Sequence, residues 1–199
     1  SVFLGPVKAG KHEITIERDL KLSAKTAGLE IGSVRFTTFS QDSPEYLALS
    51  HAPVLYARKN TIGRFSDIPL ILYCERRTSG LQYTAVFSNE DGGTSTRALM
   101  ARWGRTTDIE YIFDLTFGLN GRPDKAIVQG PGHRDLEFTG RYDGAHPLLM
   151  PVTDNNMVGE AEDSPMRFQL APLEADLEQI SRESVMDRFP VTWSVMSKE

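Results

Sequence analysis

Apolar and polar residues alternate along much of this chain, and the period is mostly two. "HEITIERDLKLSA" (12–24) sets Ile14 and Ile16, then Leu20 and Leu22, on repeating faces. "SVRFTTF" (33–39) alternates in the same way. A period of two is that of a strand with one buried face. "APVLYAR" (52–58) and "IPLILYCERR" (68–77) are short apolar runs between proline and polar breaks, as in buried strands. "LQYTAVFSN" (81–89) puts Leu81, Tyr83, Ala85 and Phe87 on one face, and "EDGG" then signals a turn. "DIEYIFDLTFGL" (108–119) is rich in β-branched and aromatic residues. After the turn "NGRPD", the segments "AIVQG", "LEFTGRY", "HPLLMPVT" and "MRFQLAP" read as further short strands.

Two segments carry helical spacing. In "RALMARWG" (97–104) the period is ambiguous, because Leu99, Met100 and Trp103 also suit one helical turn. Near the end, Pro172 suits a helix start, and Leu173, Leu177, Ile180 and Ser184/Val185 follow at helical intervals. Pro190 would stop that helix. The acidic "VGEAEDSP" (158–165) reads as the most mobile loop. The expected fold is therefore mainly β: an antiparallel β-sandwich or jelly roll with one C-terminal amphipathic helix. Residues 1–199 fit a single domain, with 1–50 either in the same sheet pair or forming a separate N-terminal strand module.

Composition removes several function classes. The chain has 199 residues and a net charge of −5, so no bulk attraction to nucleic acid is expected. No apolar run is long enough for a transmembrane helix. The expectation is a soluble protein, either cytoplasmic or secreted with its leader removed. The single cysteine, Cys74, lies in an apolar run and reads as a buried, inert thiol. "GPGHRD" (130–135) has no helix-forming run after it and is not a phosphate loop, so no nucleotide cofactor is expected.

Candidate chemistry centres on "RWGRTTDIEY" (102–111). On a strand, Asp108 and Glu110 project from one face, with Ile109, Tyr111 and Phe113 on the other. Such a pair can share a cation, or split into acid and base where their environments differ. A catalytic set would comprise Asp108, Glu110, His51 and His146, with Arg102 or Arg105 steadying negative charge. A Ca²⁺ or Mg²⁺ set would comprise Asp108, Glu110, Glu90 and Asp91. Asn89, Trp103, Asp154, Asn155 and Asn156 are the ligand-binding candidates. The same residues also have plain structural readings, as a solvated charged face and as Asx-rich turns.

"HAPVLYAR", "YTAVFSNEDGGT", "ARWGRTTDIEY" and "HPLLMPVTDNNM" resemble an uncharacterised family of microbial β-sandwich proteins, over roughly residues 50–195. Gly104, Asp108 and Glu110 also share the outline G-x-x-x-D-x-E with the G-H-R-H-D-W-E heptapeptide of necrosis-inducing cytolysins. With "HAPVLY", the D-x-E pair is similar to the vacuolar-sorting-62-related family. The cytolysin resemblance implies a β-sandwich whose acidic residues surround a divalent cation. Arg105 and Thr107 stand where the heptapeptide has its two histidines.

The leading expectation is an acidic site for a divalent cation or a polar ligand such as a carbohydrate. It extends to a hydrolase or lyase acting on sugars. The rival is a non-catalytic structural or interaction domain of a larger secreted or surface protein.

Overall fold

A computed structural model describes residues 3–18, 20, 30, 32–58, 68–89, 95–177, 179–181 and 184, apart from the side chains of Thr96 and Trp103. The elements, in chain order, are α1 (Pro44–Ser50), β1 (Val54–Tyr56), β2 (Pro69–Arg77), β3 (Gly80–Phe87), α2 (Thr96–Trp103) and β4 (Asp108–Phe117). They continue with β5 (Pro123–Gly130), β6 (Arg134–Glu137), β7 (Tyr142–Asp143), β8 (His146–Pro151), β9 (Val158–Glu160), β10 (Arg167–Gln169) and β11 (Leu173–Glu174). The protein is mainly β, in two mixed sheets.

The larger sheet has the order β11-β2-β3-β4-β5-β6, and the smaller has β10-β1-β8-β7 with β9 also paired to β8. Most neighbours are antiparallel. The exceptions among the described residues are β1 with β8 and β11 with β2. The main apolar cluster draws Leu55, Leu149 and Val158 from the smaller sheet and Leu72, Tyr83 and Phe113 from the larger one. A second cluster, Ile71, Tyr73, Val86 and Ile109, covers the opposite face of the larger sheet beneath Ala175, Leu177 and Ile180. β3 is therefore buried on both faces from Leu81 to Phe87, as its nearly unbroken apolar sequence requires.

The hairpin joining β2 to β3 depends on Gly80. A Cβ there would overlap the backbone carbonyl of Leu115 on β4, so only glycine lets the strands approach. β4 in turn carries a bulge. Tyr83 pairs with Phe113, but Thr84 pairs with Tyr111, leaving Ile112 as the extra residue. Before the bulge, Asp108 and Glu110 share a face with Phe87 and Ala85. After it, Phe113 and Leu115 occupy that same face and join the main core. The strict alternation expected to set Phe113 opposite the carboxylates thus fails at one residue, while Ile109 and Tyr111 do lie opposite.

Three further expectations need correction. The strands expected in 12–24 and 33–39 are absent among the described residues there. These carry no regular structure, and Ile14, Ile16, Val34 and Phe36 are more than half exposed. Alternation gives a segment a strand's periodicity, but a neighbouring strand must supply the hydrogen bonds.

The C-terminal helix expected from Pro172 is replaced at its start by β11, which pairs in parallel with β2 at Tyr73 and Cys74. Leu177 and Ile180 pack on the second cluster from a turn closed by Asp176, whose carboxylate accepts from Gln179 N. The expected helix from 185 onward lies outside the described residues. Lastly, Val158–Glu160 of the supposed loop is β9.

Helices form instead at two capped sites. Ser43 Oγ accepts from Tyr46 N at 3.1 Å, with Pro44 next in the chain, and this opens α1. Ser95 Oγ accepts from Ala98 N to open α2, and Gly104 closes it at φ 71°. Among the described residues, no helix is long and apolar enough to cross a membrane.

Candidate functional site

Asp108 and Glu110 begin β4 on the face turned toward the smaller sheet. Residues two apart on a strand are about 7 Å from each other. Their environments differ. Asp108 is buried, at 4% exposure. Its Oδ2 accepts at 2.9 Å from Nδ2 of Asn156, and the same amide donates at 2.8 Å to the backbone carbonyl of Asn89. One amide group thus ties the start of β4 to the end of β3 and to the loop between β8 and β9.

Asn156 sits in a turn closed locally by Thr153. Asn156 N donates to Thr153 O, Met157 N donates to Thr153 Oγ1, and Thr153 Oγ1 donates to Asn155 Oδ1. The turn holds Asn156 at φ 57°, in the left-handed region that asparagine tolerates better than most residues. Asn156 Oδ1 and Thr106 Oγ1 are buried and have no hydrogen-bond partner among the described residues.

Glu110 lies nearer the surface, with its side chain 12% exposed. Turned so that its nitrogen faces β4, the Gln129 amide donates to Glu110 Oε2 at 2.8 Å and to Tyr111 O at 2.9 Å. Gln129 lies on β5 beyond Ile127, the last β5 residue in ladder register with β4 among the described residues. Its side chain therefore satisfies a carbonyl that the ladder leaves open. His133 Nδ1 stands 3.9 Å from Glu110 Oε2. His133 occupies the turn between β5 and β6 at φ 56°. Among the described residues, His133 and Asn156 are the non-glycine residues at positive φ. One reaches Glu110 and the other Asp108. Left-handed non-glycine residues cluster where the surroundings fix them for a purpose.

The remaining candidates separate. His51 caps α1, with Nδ1 bonded to Leu47 O at 3.1 Å and its ring edge-on to Phe117 at 5.4 Å. Phe117 ends β4 and Asp108 begins it, so nine residue steps put the two ends about 30 Å apart. His146 bonds Ala52 O at 2.8 Å, close enough to His51 for the two rings to repel each other when charged. Neither histidine joins the carboxylate pair, which corrects the expected catalytic set. Burial lowers the His51 pKa, the Leu47 carbonyl partly opposes this, and His146 adds to it.

Arg102 is exposed in the last turn of α2, and Arg105 is half-buried between α2 and β4. Asp154 pairs with Arg58 at 2.8 Å, and Asn155 is used within its own turn. Glu90, Asp91 and the Trp103 side chain lie outside the described residues. Among the described residues, no three His, Cys, Asp or Glu side chains converge to hold a metal ion. Cys74 is buried, as its apolar setting implied, and burial pushes its thiol up to about 12.

No protein family, curated protein or solved structure matches this chain. Function therefore rests on the site itself.

Sequence reasoning missed Gln129 and His133 as partners of Glu110, and the bond from Asn156 to Asp108. A signal was present for one of these. Gly132-His133 at the tip of a short hairpin is turn chemistry that admits positive φ. The contact from Asn156 spans 48 positions and leaves no local trace.

Proposed function

We propose that the protein is a β-sandwich domain that binds a polar, hydroxyl-rich ligand, such as a carbohydrate, at Glu110, with Asp108 as the buried anchor of the site. The observation that carries this reading is the pair of carboxylates on one strand face, each met by an amide donor, with left-handed Asn156 and His133 reaching one carboxylate apiece. Glu110 and His133 present a carboxylate and a ring nitrogen side by side, with Gln129 holding Glu110 in place, and such polar groups can meet sugar hydroxyls. Asp108 is sealed from solvent and acts by fixing the 153–156 turn. The main core shared by the two sheets supports the sandwich.

A polar ligand is favoured over Ca²⁺ or Mg²⁺. Oδ2 of Asp108 already receives an amide hydrogen, and among the described residues Glu110 stands beside a histidine nitrogen rather than beside further oxygens of the six to eight that Ca²⁺ takes. Catalysis on a sugar, by hydrolysis or elimination, would use Glu110 as general base, with Arg105 near the developing negative charge.

A glycan array probed with the native chain and with Glu110→Gln tests the proposal. Selective binding that the variant loses, at unchanged melting temperature, supports it. No binding to any glycan overturns the carbohydrate assignment. Melting in Ca²⁺, Mg²⁺ or Mn²⁺ tests the cation version, since an ion at 100 times its Kd raises stability by about 2.7 kcal/mol.

A second reading, an interaction domain, is favoured by the exposed Ile14, Ile16, Val34 and Phe36. Sedimentation of the full chain against the Ile16→Ser/Phe36→Ser variant checks it, with self-association lost in the variant as the expected result.

A further inference from the structure

The strongest feature away from the carboxylate pair lies between α1, β2 and the chain entering β11. A cavity of about 200 Å³ opens there, lined by the apolar Phe39, Ala48, Leu49, Ala171 and Pro172 and by Cys74, with Glu45 of α1 as a charged residue in the wall. The thiol is 2% exposed and protonated, so the wall away from Glu45 is apolar. At about 30 Å³ per water, the space matches about seven waters, the size of one aliphatic side chain with room to enter.

Arg76 and Glu174 stand at its mouth and also line a larger, polar basin of about 660 Å³ next to it. The basin adds Arg77, Thr78, Ser79 and Asp176.

The mouth pair has an unusual division of bonds. Arg76 Nε donates to Glu174 Oε1 at 3.0 Å, and Arg76 Nη2 donates to that same oxygen. A fork-to-fork pair would use both carboxylate oxygens. Here Oε2 of Glu174 and Nη1 of Arg76 carry no bond among the described residues. A largely apolar chamber therefore ends in an open acceptor on Glu174 and an open donor on Arg76, with a second carboxylate, Glu45, in the same lining.

We infer that this chamber is a binding site for a small zwitterion with an aliphatic side chain, an α-amino acid of about leucine size. The side chain fills the chamber, the ammonium group bonds Glu174 Oε2, and the carboxylate bonds Arg76 Nη1. A simple fatty acid meets Arg76 but is repelled by Glu45 and Glu174, so the lining selects against it. The apolar part follows the area rule. Each methylene buried adds about 0.8 kcal/mol, or about fourfold in affinity, until the chamber is full. This site is independent of the carboxylate pair on β4.

The test is a titration of the isotope-labelled full chain followed by amide NMR, with glycine, L-alanine, L-valine and L-leucine as probes. Saturable shifts at Ala48, Leu49, Ala171 and Glu174 are expected, with affinity rising about fourfold per added carbon. The leucine analogue 4-methylpentanoate keeps the apolar group and the carboxylate but lacks the ammonium, and should bind at least tenfold more weakly.

Arg76→Gln and Glu174→Gln change exposed side chains and leave the fold intact. Each should weaken leucine by about tenfold. Ala48→Phe should abolish binding by filling the chamber. No saturable shift with any probe overturns the inference. So does equal binding of glycine and leucine, or of leucine and 4-methylpentanoate.

Discussion

Replacing Asn156 by alanine tests how the candidate site is built. The substitution removes two hydrogen bonds at once, one to the buried Asp108 carboxylate at 2.9 Å and one to the Asn89 carbonyl at 2.8 Å. A hydrogen bond to a charged group contributes about 1.5–3 kcal/mol and a neutral one about 0.5–1.5 kcal/mol. Alanine must also take up φ 57°, where an ordinary L-residue costs about 1–2 kcal/mol. Together these give a loss of about 3–6.5 kcal/mol.

Asn156→Gly separates the causes. Glycine accepts the left-handed backbone but makes neither bond, so it should lie about 1–2 kcal/mol above alanine. Urea unfolding monitored by circular dichroism reads both values. A double-mutant cycle with Asp108→Ala isolates the shared bond, and a coupling of about 1.5–3 kcal/mol is expected. Coupling below about 0.5 kcal/mol would refute the claim that Asn156 holds the carboxylate. Equal losses for alanine and glycine would refute the backbone part of the argument.

Other outcomes follow from the same contacts. Gly80→Ala should lower stability by about 2–4 kcal/mol in urea melts, because the Leu115 carbonyl occupies the space a Cβ needs.

His51 has its folded pKa below the ordinary 6.5, so the unfolded chain binds more protons between those two values. Stability should therefore fall as pH drops through 6.5 toward the folded pKa, and level off below it. His51→Gln should flatten that step.

With its pKa raised to about 12, native Cys74 should react with a thiol reagent at pH 8 about a thousandfold more slowly than a free cysteine. Unfolding in urea should restore the ordinary rate.

The strands that read clearly from sequence are those whose partners lie close along the chain. β2, β3 and β4 form a meander, and their apolar runs and turn residues are local signals. The pairing of β4 faces was legible at Asp108 and Glu110, and the bulge at Ile112 then inverted the alternation. A bulge is one residue of register with no composition of its own.

Residues 12–18 and 33–39 carry strand periodicity but join no sheet among the described residues, and the pattern alone could not reveal that. Leu173 and Glu174 satisfied a helical pattern and still became strand, because β2 offered an unpaired edge. At the site, the carboxylate pair was visible from a two-residue spacing. Its partners Asn156, Gln129 and His133 come from other elements, and only the tertiary fold brings them there.

The central claim is that Glu110 and its partners form a binding site for a polar ligand. The side-chain amide resonances of Gln129 and Asn156 report on it directly, since one touches Glu110 and the other Asp108. Titrating the labelled protein with the best glycan from an array should shift the Gln129 resonance saturably. The Asn156 resonance should move less, and Glu110→Gln should abolish the response. If neither amide moves with any glycan or divalent cation while the native fold persists, the carboxylate pair is structural and the account of function is wrong.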